Sequence, residues 1–376
     1  MSAAASVVAA VGAVAAMVSA LDEGGGKDRA RPKVTKSPTL EPLPAVPTPS
    51  ASKPSAKPSP ARSSAAPKPR PKPSVQRPKR PNTAADKDEK ANSLYRHGDS
   101  QVLDWVRANR DDPRRPLIES RIADRPAAVW FAEYAPRTVT SRVRAVTSAA
   151  GSRVPVVVPY AIPDRDCGGA SQGGAPDLAA YDRWIGKFAA GLGSGEVVVI
   201  LEPDAIAQSE CLSAKQRTAR YASLARAGRT LKAANPRARV YFDAGHSGWN
   251  AAAEQAGRLR AAGAASPAAS DGIFTNVSNF HRTADEAAYA RKVLSALGGP
   301  PGLGAVIDTS RNGNGAPAGG KWCDPAGRGL GQSPTLRTGE ARIDAYLWIK
   351  LPGESDGCQG APGTFSPGYA YDLARG

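Results

Sequence analysis

Seven short apolar runs recur along the chain after residue 120, and each closes on polar or ionisable residues. They are AAVWFAEY (127–134), VPVVVPYAI (154–162), VVVILEPDA (197–205), RVYFDAGHS (239–247), GIFTNVSNF (272–280), GAVIDTS (304–310) and DAYLWIKLPGE (344–354). Between most of them lie stretches of helical spacing, among them 178–192, 213–235 and 284–298, with Ser213 and Thr283 placed as N-caps. A run such as VVVIL has no polar relief, so both of its faces must be covered. Fully buried strands that alternate with helices predict a parallel sheet with helices packed on it. The expected fold is therefore α/β, a distorted, incomplete (β/α) barrel with about seven parallel strands. An open doubly wound sheet is the alternative.

The polar residues that end the runs are the second signal. Glu133, Asp164 to Asp166, Glu202 with Asp204, Asp243 with His246, Ser278 with Asn279, Asp308 with Arg311, and Lys350 with Glu354 and Asp356 all follow predicted strands. In parallel βα architectures the active site gathers at the C-terminal ends of the strands. Any one such residue could be an ordinary solvated loop position. Seven strand ends together point to a site.

Composition divides the chain. Residues 5–20, ASVVAAVGAVAAMVSA, form a small-apolar run, with Val18, Ser19 and Ala20 fitting a cleavage site, so residues 1–20 read as a signal peptide or membrane anchor. Residues 21–92 read as a disordered, basic, Pro-rich linker: 15 of the chain's 34 prolines fall within 27–90, with 16 Lys/Arg against 5 Asp/Glu. That segment supplies +11 of the formal +16, whereas residues 91–376 carry 34 basic and 27 acidic residues. The folded part thus lacks the basic, aromatic-studded face of a nucleic-acid binder, and no nucleic acid is expected as partner. The linker's charge suits contact with anionic wall polymer or a membrane surface, or it is a solvated spacer. Residues 93–376 are left for one catalytic domain, expected to be secreted or extracellular and monomeric.

The four cysteines, Cys167, Cys211, Cys323 and Cys358, match no zinc spacing, and in an exported chain an even count suggests disulfides. Of the three possible pairings, Cys167 with Cys211 and Cys323 with Cys358 is preferred, because each then staples two loops that carry polar clusters. The three histidines include no HExxH and no pair at helical spacing, so neither metal nor cofactor is expected. No G-x-S-x-G occurs, which disfavours a serine hydrolase, and GLGSG (191–195) reads as a helix stop and turn.

Carboxylates in company with Trp130, Trp249, Trp322, Trp348 and Tyr160 suggest sugar chemistry. Acetal cleavage needs a protonated carboxyl for the leaving oxygen and usually a carboxylate on the opposite side of the ring. Flat aromatic faces suit pyranose rings, although core packing is an equal reading for Trp130 and the preferred one for Trp348. Glu202 and Asp204 would share a side in an extended chain, so spacing alone does not choose the acid.

At these residues the chain resembles glycoside hydrolase family 6 cellulases. VPYAIPDRDCGGASQGGA (158–175) and VVVILEPDAIA carry the likeness, with YFDAGHSGW, TNVSNF, AVIDTSRNGNG, KWCDP and WIKLPGESDGC following in the family's order. The resemblance implies an α/β barrel that cleaves β-1,4-glucan with inversion. It implies Asp204 as general acid, Asp166 as the neighbouring carboxylate that helps to keep it protonated, and Tyr160 as the group crowding the distorted sugar ring. Asp356 is the candidate base, with a water chain through Ser278 and Asp166 as the competing account. Trp130, His246, Trp249, Asn279, Trp322, Lys350 and Glu354 match substrate-contacting positions, and Asp243 a supporting carboxylate beside them. The family's loop serine aligns with Ser171 or with Gln172, and Glu202 becomes structural. The family's disulfides coincide with the preferred pairs. No long insertion interrupts the loops, so an open groove and internal cleavage of soluble or amorphous β-glucan are expected.

Overall fold

The computed structural model describes residues 93–376; the proposed N-terminal signal or anchor and the Pro-rich linker lie outside the described residues. All seven apolar runs become strands: β1 (Val129–Phe131), β2 (Val156–Pro159), β3 (Val197–Leu201), β4 (Ala238–Asp243), β5 (Gly272–Thr275), β6 (Gly304–Asp308) and β7 (Ile343–Leu347). They pair in chain order, every neighbour parallel. β1 and β7 form no ladder. The gap is spanned by the Ala128 N–H, which donates to the Trp348 carbonyl at 2.9 Å, and by the Trp130 indole, which donates to the Ile349 carbonyl at 2.7 Å. The barrel is therefore incomplete, as the count of runs predicts.

The period of two along each strand divides the apolar residues between two cores. Val156, Val158, Val198, Ile200, Tyr241, Phe274, Val306 and Leu347 fill the barrel interior. Their alternates Val157, Val199, Val240, Phe242, Ile273 and Ile307 pack outward against helices. Both faces are buried, which is why VVVIL tolerates no polar residue.

The helices are α1 (Gln101–Ala108), α2 (Arg115–Ile118), α3 (Val139–Ala150), α4 (Leu178–Ala189), α5 (Ala214–Ala234), α6 (Ala252–Ala261), α7 (Thr283–Leu297) and α8 (Pro367–Arg375). Apolar stripes of α3 to α7, such as Val143, Trp184, Leu224, Leu259 and Val293, cover the outer face of the sheet. A third cluster joins Val102 and Val106 of α1, Ile118 of α2 and Ala370 of α8 to Trp348 and Leu351 beyond β7. Trp348 is thus a core residue, its indole donating to the Gln332 carbonyl at 3.0 Å. Ser213 caps α5 through a reciprocal capping box with Gln216. Thr283 does not cap α7: it is the first helical residue, and its hydroxyl accepts a bond from the Asn312 amide at 3.1 Å. That tertiary partner outcompetes the local cap.

Candidate active site

Three carboxylates at strand ends are buried and hold neighbouring loops by their backbone. Glu202, after β3, accepts from the Ala161 N–H at 2.9 and 3.0 Å and from the Ile162 N–H at 3.0 Å, beyond β2. Asp243, ending β4, accepts from Ile206 and Ala207 at 3.1 and 2.8 Å and from Gly245 at 2.9 Å. Asp308, ending β6, accepts from Ser278 at 3.2 Å, Ser310 at 2.9 Å and Lys350 at 3.0 Å. Loop N–H groups at the barrel mouth have no ladder partner, and these side chains supply one. Three of the strand-end carboxylates are therefore scaffolding for the rest.

The extended-chain expectation for Glu202 and Asp204 fails. Both residues adopt left-handed backbone, φ 49° and 70°, so β3 stops at Leu201 and the two carboxyls part. Glu202 turns under the β2 loop; Asp204 faces a groove. Among the described residues, every other non-glycine residue with positive φ except Arg342 also lies in a loop after a strand: Asp164, Asp166, Cys167, Asn276, Ser278 and Asp324. Strained backbone concentrates at this mouth, as it does at functional sites generally.

The groove has a volume of about 1270 Å³ and runs across the C-terminal ends of the strands. Asp204, Asp166, Asp356, Tyr160, Ser278, Trp130, Ser171, His246, Trp249, Asn279, Trp322, Lys350 and Glu354 all line it. Asp243 alone among the expected site residues does not, being buried behind the loop that carries Asp204. Trp322 is 57% exposed, the one large apolar side chain so presented among the described residues. Trp130 stands edge-on to Tyr160 at 5.3 Å between ring centroids.

The Asp204 carboxyl is pushed well above the ordinary carboxylate range, first by desolvation, then by the negative charge of Asp243, and then by that of Asp166. Some of its surface still opens to the groove. A carboxyl in such surroundings keeps its proton at neutral pH and can give it to a ligand. The strongest electrostatic neighbour is Asp243, a residue outside the groove.

Asp166 sits on the short turn Arg165–Gly168, and its Oδ2 accepts from the Ser171 N–H at 2.8 Å and the Ser171 hydroxyl at 3.0 Å. The Tyr160 hydroxyl lies 2.9 Å from the same Ser171 oxygen. Ser171, not Gln172, is thus the serine that bridges the carboxylate and the tyrosine. Arg165 braces the group, with its guanidinium over the Tyr160 ring at 4.6 Å and Nε donating to the Ser171 carbonyl at 2.7 Å. The loop closes on Gly174, φ 108°, where a Cβ would come within 2.0 Å of the Ile162 carbonyl oxygen.

In the loop after β7, Asp356 pairs with buried Arg311 at 2.7 Å and lies 3.6 Å from the Lys350 ammonium. Asp324 accepts from the N–H groups of Asp356, Cys358 and Gln359 and from the Ser355 hydroxyl, organising the loop. Glu354 is raised to about 7 by desolvation, against the opposing pull of Lys350 and Arg311. The disulfides are Cys167–Cys211 and Cys323–Cys358, with Cα separations of 5.8 and 5.9 Å. One fastens the Asp166 turn and the other the Trp322 and Asp356 loops.

Residues 85–370 match the family model described as glycosyl hydrolases family 6. The chain belongs to that family. Endoglucanase 1 of Streptomyces sp. (strain KSM-9) is 56% identical over 286 residues, 75% of this chain and 78% of that protein. Endoglucanase A of Thermobispora bispora is 50% identical over 75% of this chain and 61% of its own length. The solved endoglucanase Cel6 of Mycobacterium tuberculosis, in complex with a thio-linked cellobioside, is 39% identical with a TM-score of 0.69. That match covers 76% of this chain and 97% of the other.

Four residues that shape this family 6 site carry no assigned role in the sequence reading: Arg165, Arg311, Asp324 and His281. Arg165, Arg311 and Asp324 do sit inside the RDC, AVIDTSRNGNG and KWCDP segments, beside recognised positions, which is the signal that could have found them. The contacts of Arg311 and His281 span elements distant in sequence, which periodicity cannot see.

Proposed function

We propose that this domain cleaves internal β-1,4-glucosidic bonds of cellulose or related soluble and amorphous β-glucans, inverting the anomeric carbon. The observation that carries the reading is Asp204: a carboxyl held protonated by burial and by two negative neighbours, opening onto an aromatic-lined groove. Its proton passes to the glycosidic oxygen as the C1–O bond breaks, and the leaving chain departs as an alcohol. Water attacks C1 from the opposite face, which inverts it. Inverting sites hold acid and base roughly 6.5–9.5 Å apart to admit that water. Names of relatives as endoglucanases support internal cleavage, as does the exposure of Trp322.

For the water's proton, Asp356 is the direct candidate. Its oxygens are already engaged by Arg311 at 2.7 Å, the Asp324 N–H at 3.1 Å and Lys350 at 3.6 Å, which leaves little of the carboxylate free to face a water. Asp166 has no ion pair among the described residues, which favours the second route, a water chain past Ser278 to Asp166. In this reading residues 1–20 export the enzyme and the basic linker is a passive spacer. Viscosity of soluble carboxymethyl-cellulose tests the mode of cleavage. A rapid fall in viscosity with few reducing ends is expected; reducing ends released at constant viscosity would reject internal cleavage.

A further inference from the structure

The His246 and His281 imidazoles are stacked, with ring centroids 4.3 Å apart and planes within 20°, and His246 also meets Trp249 at 5.3 Å. All three rings line the groove. Gly248 makes the stack possible: a Cβ there would lie 2.7 Å from Cε1 of His281. The Gly248 N–H donates to His246 Nδ1 at 3.2 Å, so Nδ1 is an acceptor and the neutral ring carries its proton on Nε2.

The surroundings hold both partners still. The His281 N–H donates to the Asn276 side chain at 3.0 Å, and its carbonyl accepts from the Asn276 and Asn312 amides at 3.2 and 2.9 Å. Glu286 of α7, fully buried, accepts from the Ser247 N–H at 2.8 Å, and the Tyr289 hydroxyl donates to the Ala244 carbonyl at 3.2 Å. The loop that carries His246 is thus clamped from the β5–α7 segment, and His281 is the part of that clamp that touches the ring.

We propose that His281 is a positioning residue for substrate binding: it fixes the His246 ring in one orientation and one tautomer, with Nε2–H left to donate to a sugar hydroxyl. The proposal rests on the reading of the groove as a β-glucan site. Burial holds both imidazoles below their ordinary range, His246 to about 4, where the neighbouring His281 adds to the effect; Asp285 opposes it at His281. Both shifts favour the neutral imidazole, and a stack of two neutral rings carries no charge repulsion.

The chain contains three histidines, so long-range proton–nitrogen spectra of the imidazoles are simple to assign. His246 is expected as a single Nε2–H tautomer in the wild type and in His281→Phe, which retains a flat partner. His281→Ala should mix the tautomers and raise KM for soluble β-glucan about five- to tenfold, with kcat within about twofold, the scale of one neutral hydrogen bond. His281→Phe should restore KM. An unchanged tautomer and KM in His281→Ala would overturn the proposal, as would equal losses in both variants with the tautomer intact. Should the wild type leave β-glucan uncut, the functional reading fails, and the His246 tautomer in the two variants still decides what His281 does.

Discussion

Asp324 and Asp356 exchange bonds: the Asp324 N–H donates to Oδ2 of Asp356 at 3.1 Å, and the Asp356 N–H donates to Oδ1 of Asp324 at 2.7 Å. Beside them the Cys323–Cys358 disulfide joins the same two segments. The covalent link sets their distance, and the carboxylate pair sets the orientation of Asp356. Asp324→Asn cannot accept on both sides of its side chain. Each bond to a charged group contributes about 1.5–3 kcal/mol, so the loop should loosen and kcat should fall by roughly ten- to a hundredfold. Hydrogen exchange would check it, since the Cys358 and Gln359 amides should lose protection; wild-type protection and kcat would contradict it.

Asp166 raises the Asp204 carboxyl by its charge. A general acid works protonated, so activity falls as pH rises through its pKa, and that pKa sets the alkaline limb of the profile. Asp166→Asn removes a negative neighbour, lowers the pKa of Asp204 and should move the alkaline limb of kcat/KM to lower pH. The Asn side-chain oxygen can still accept from Ser171, which keeps the turn in place. An alkaline limb that stays put or moves upward would count against the coupling.

Burial raises Glu202 from its ordinary 4.5 to about 7. The folded protein therefore holds this proton where the unfolded chain has released it. The contribution to stability is fully present below about pH 4.5 and is lost as pH rises through about 7, a change on the order of 3 kcal/mol. Denaturant unfolding at pH 5 and pH 8 measures it. Glu202→Gln should be less stable overall, yet its stability should depend less on pH over this window than that of the wild type; an identical dependence would exclude Glu202 as its source.

The sequence carries the strands because burial on both faces leaves runs such as VVVIL, and it carries the site because those runs end in ionisable groups. It does not separate scaffold from chemistry among them. Glu202, Asp243 and Asp308 look like Asp204 and Asp356 in one dimension, and only the position of neighbouring N–H groups distinguishes them. Left-handed backbone at Glu202 and Asp204 breaks the period-of-two rule where the strand becomes a loop. Thr283 failed as a cap for a similar reason, since its partner Asn312 is brought by a distant loop. The choice between Ser171 and Gln172 likewise needed the fold, which brings Tyr160 and Asp166 to one hydroxyl.

Trp322 is exposed on the groove wall, so its ring is presented to serve as a sugar platform. Trp322→Ala should leave Tm unchanged and raise KM for cello-oligosaccharides roughly tenfold, in keeping with about 1.5 kcal/mol for an aromatic contact. A fall in Tm with KM unaltered would make the residue structural.

The central claim is that Asp204 gives its proton to the leaving oxygen, and the most direct test is the kcat of Asp204→Ala on two substrates of different leaving group. On β-1,4-glucan, where the departing alcohol needs a proton, a loss of about 10²–10⁴-fold is predicted. On a β-cellooligosaccharide of dinitrophenol, whose leaving group departs as a stable anion, most of the wild-type kcat should remain. Equal losses on both substrates, or undiminished cleavage of β-1,4-glucan, would contradict the assignment.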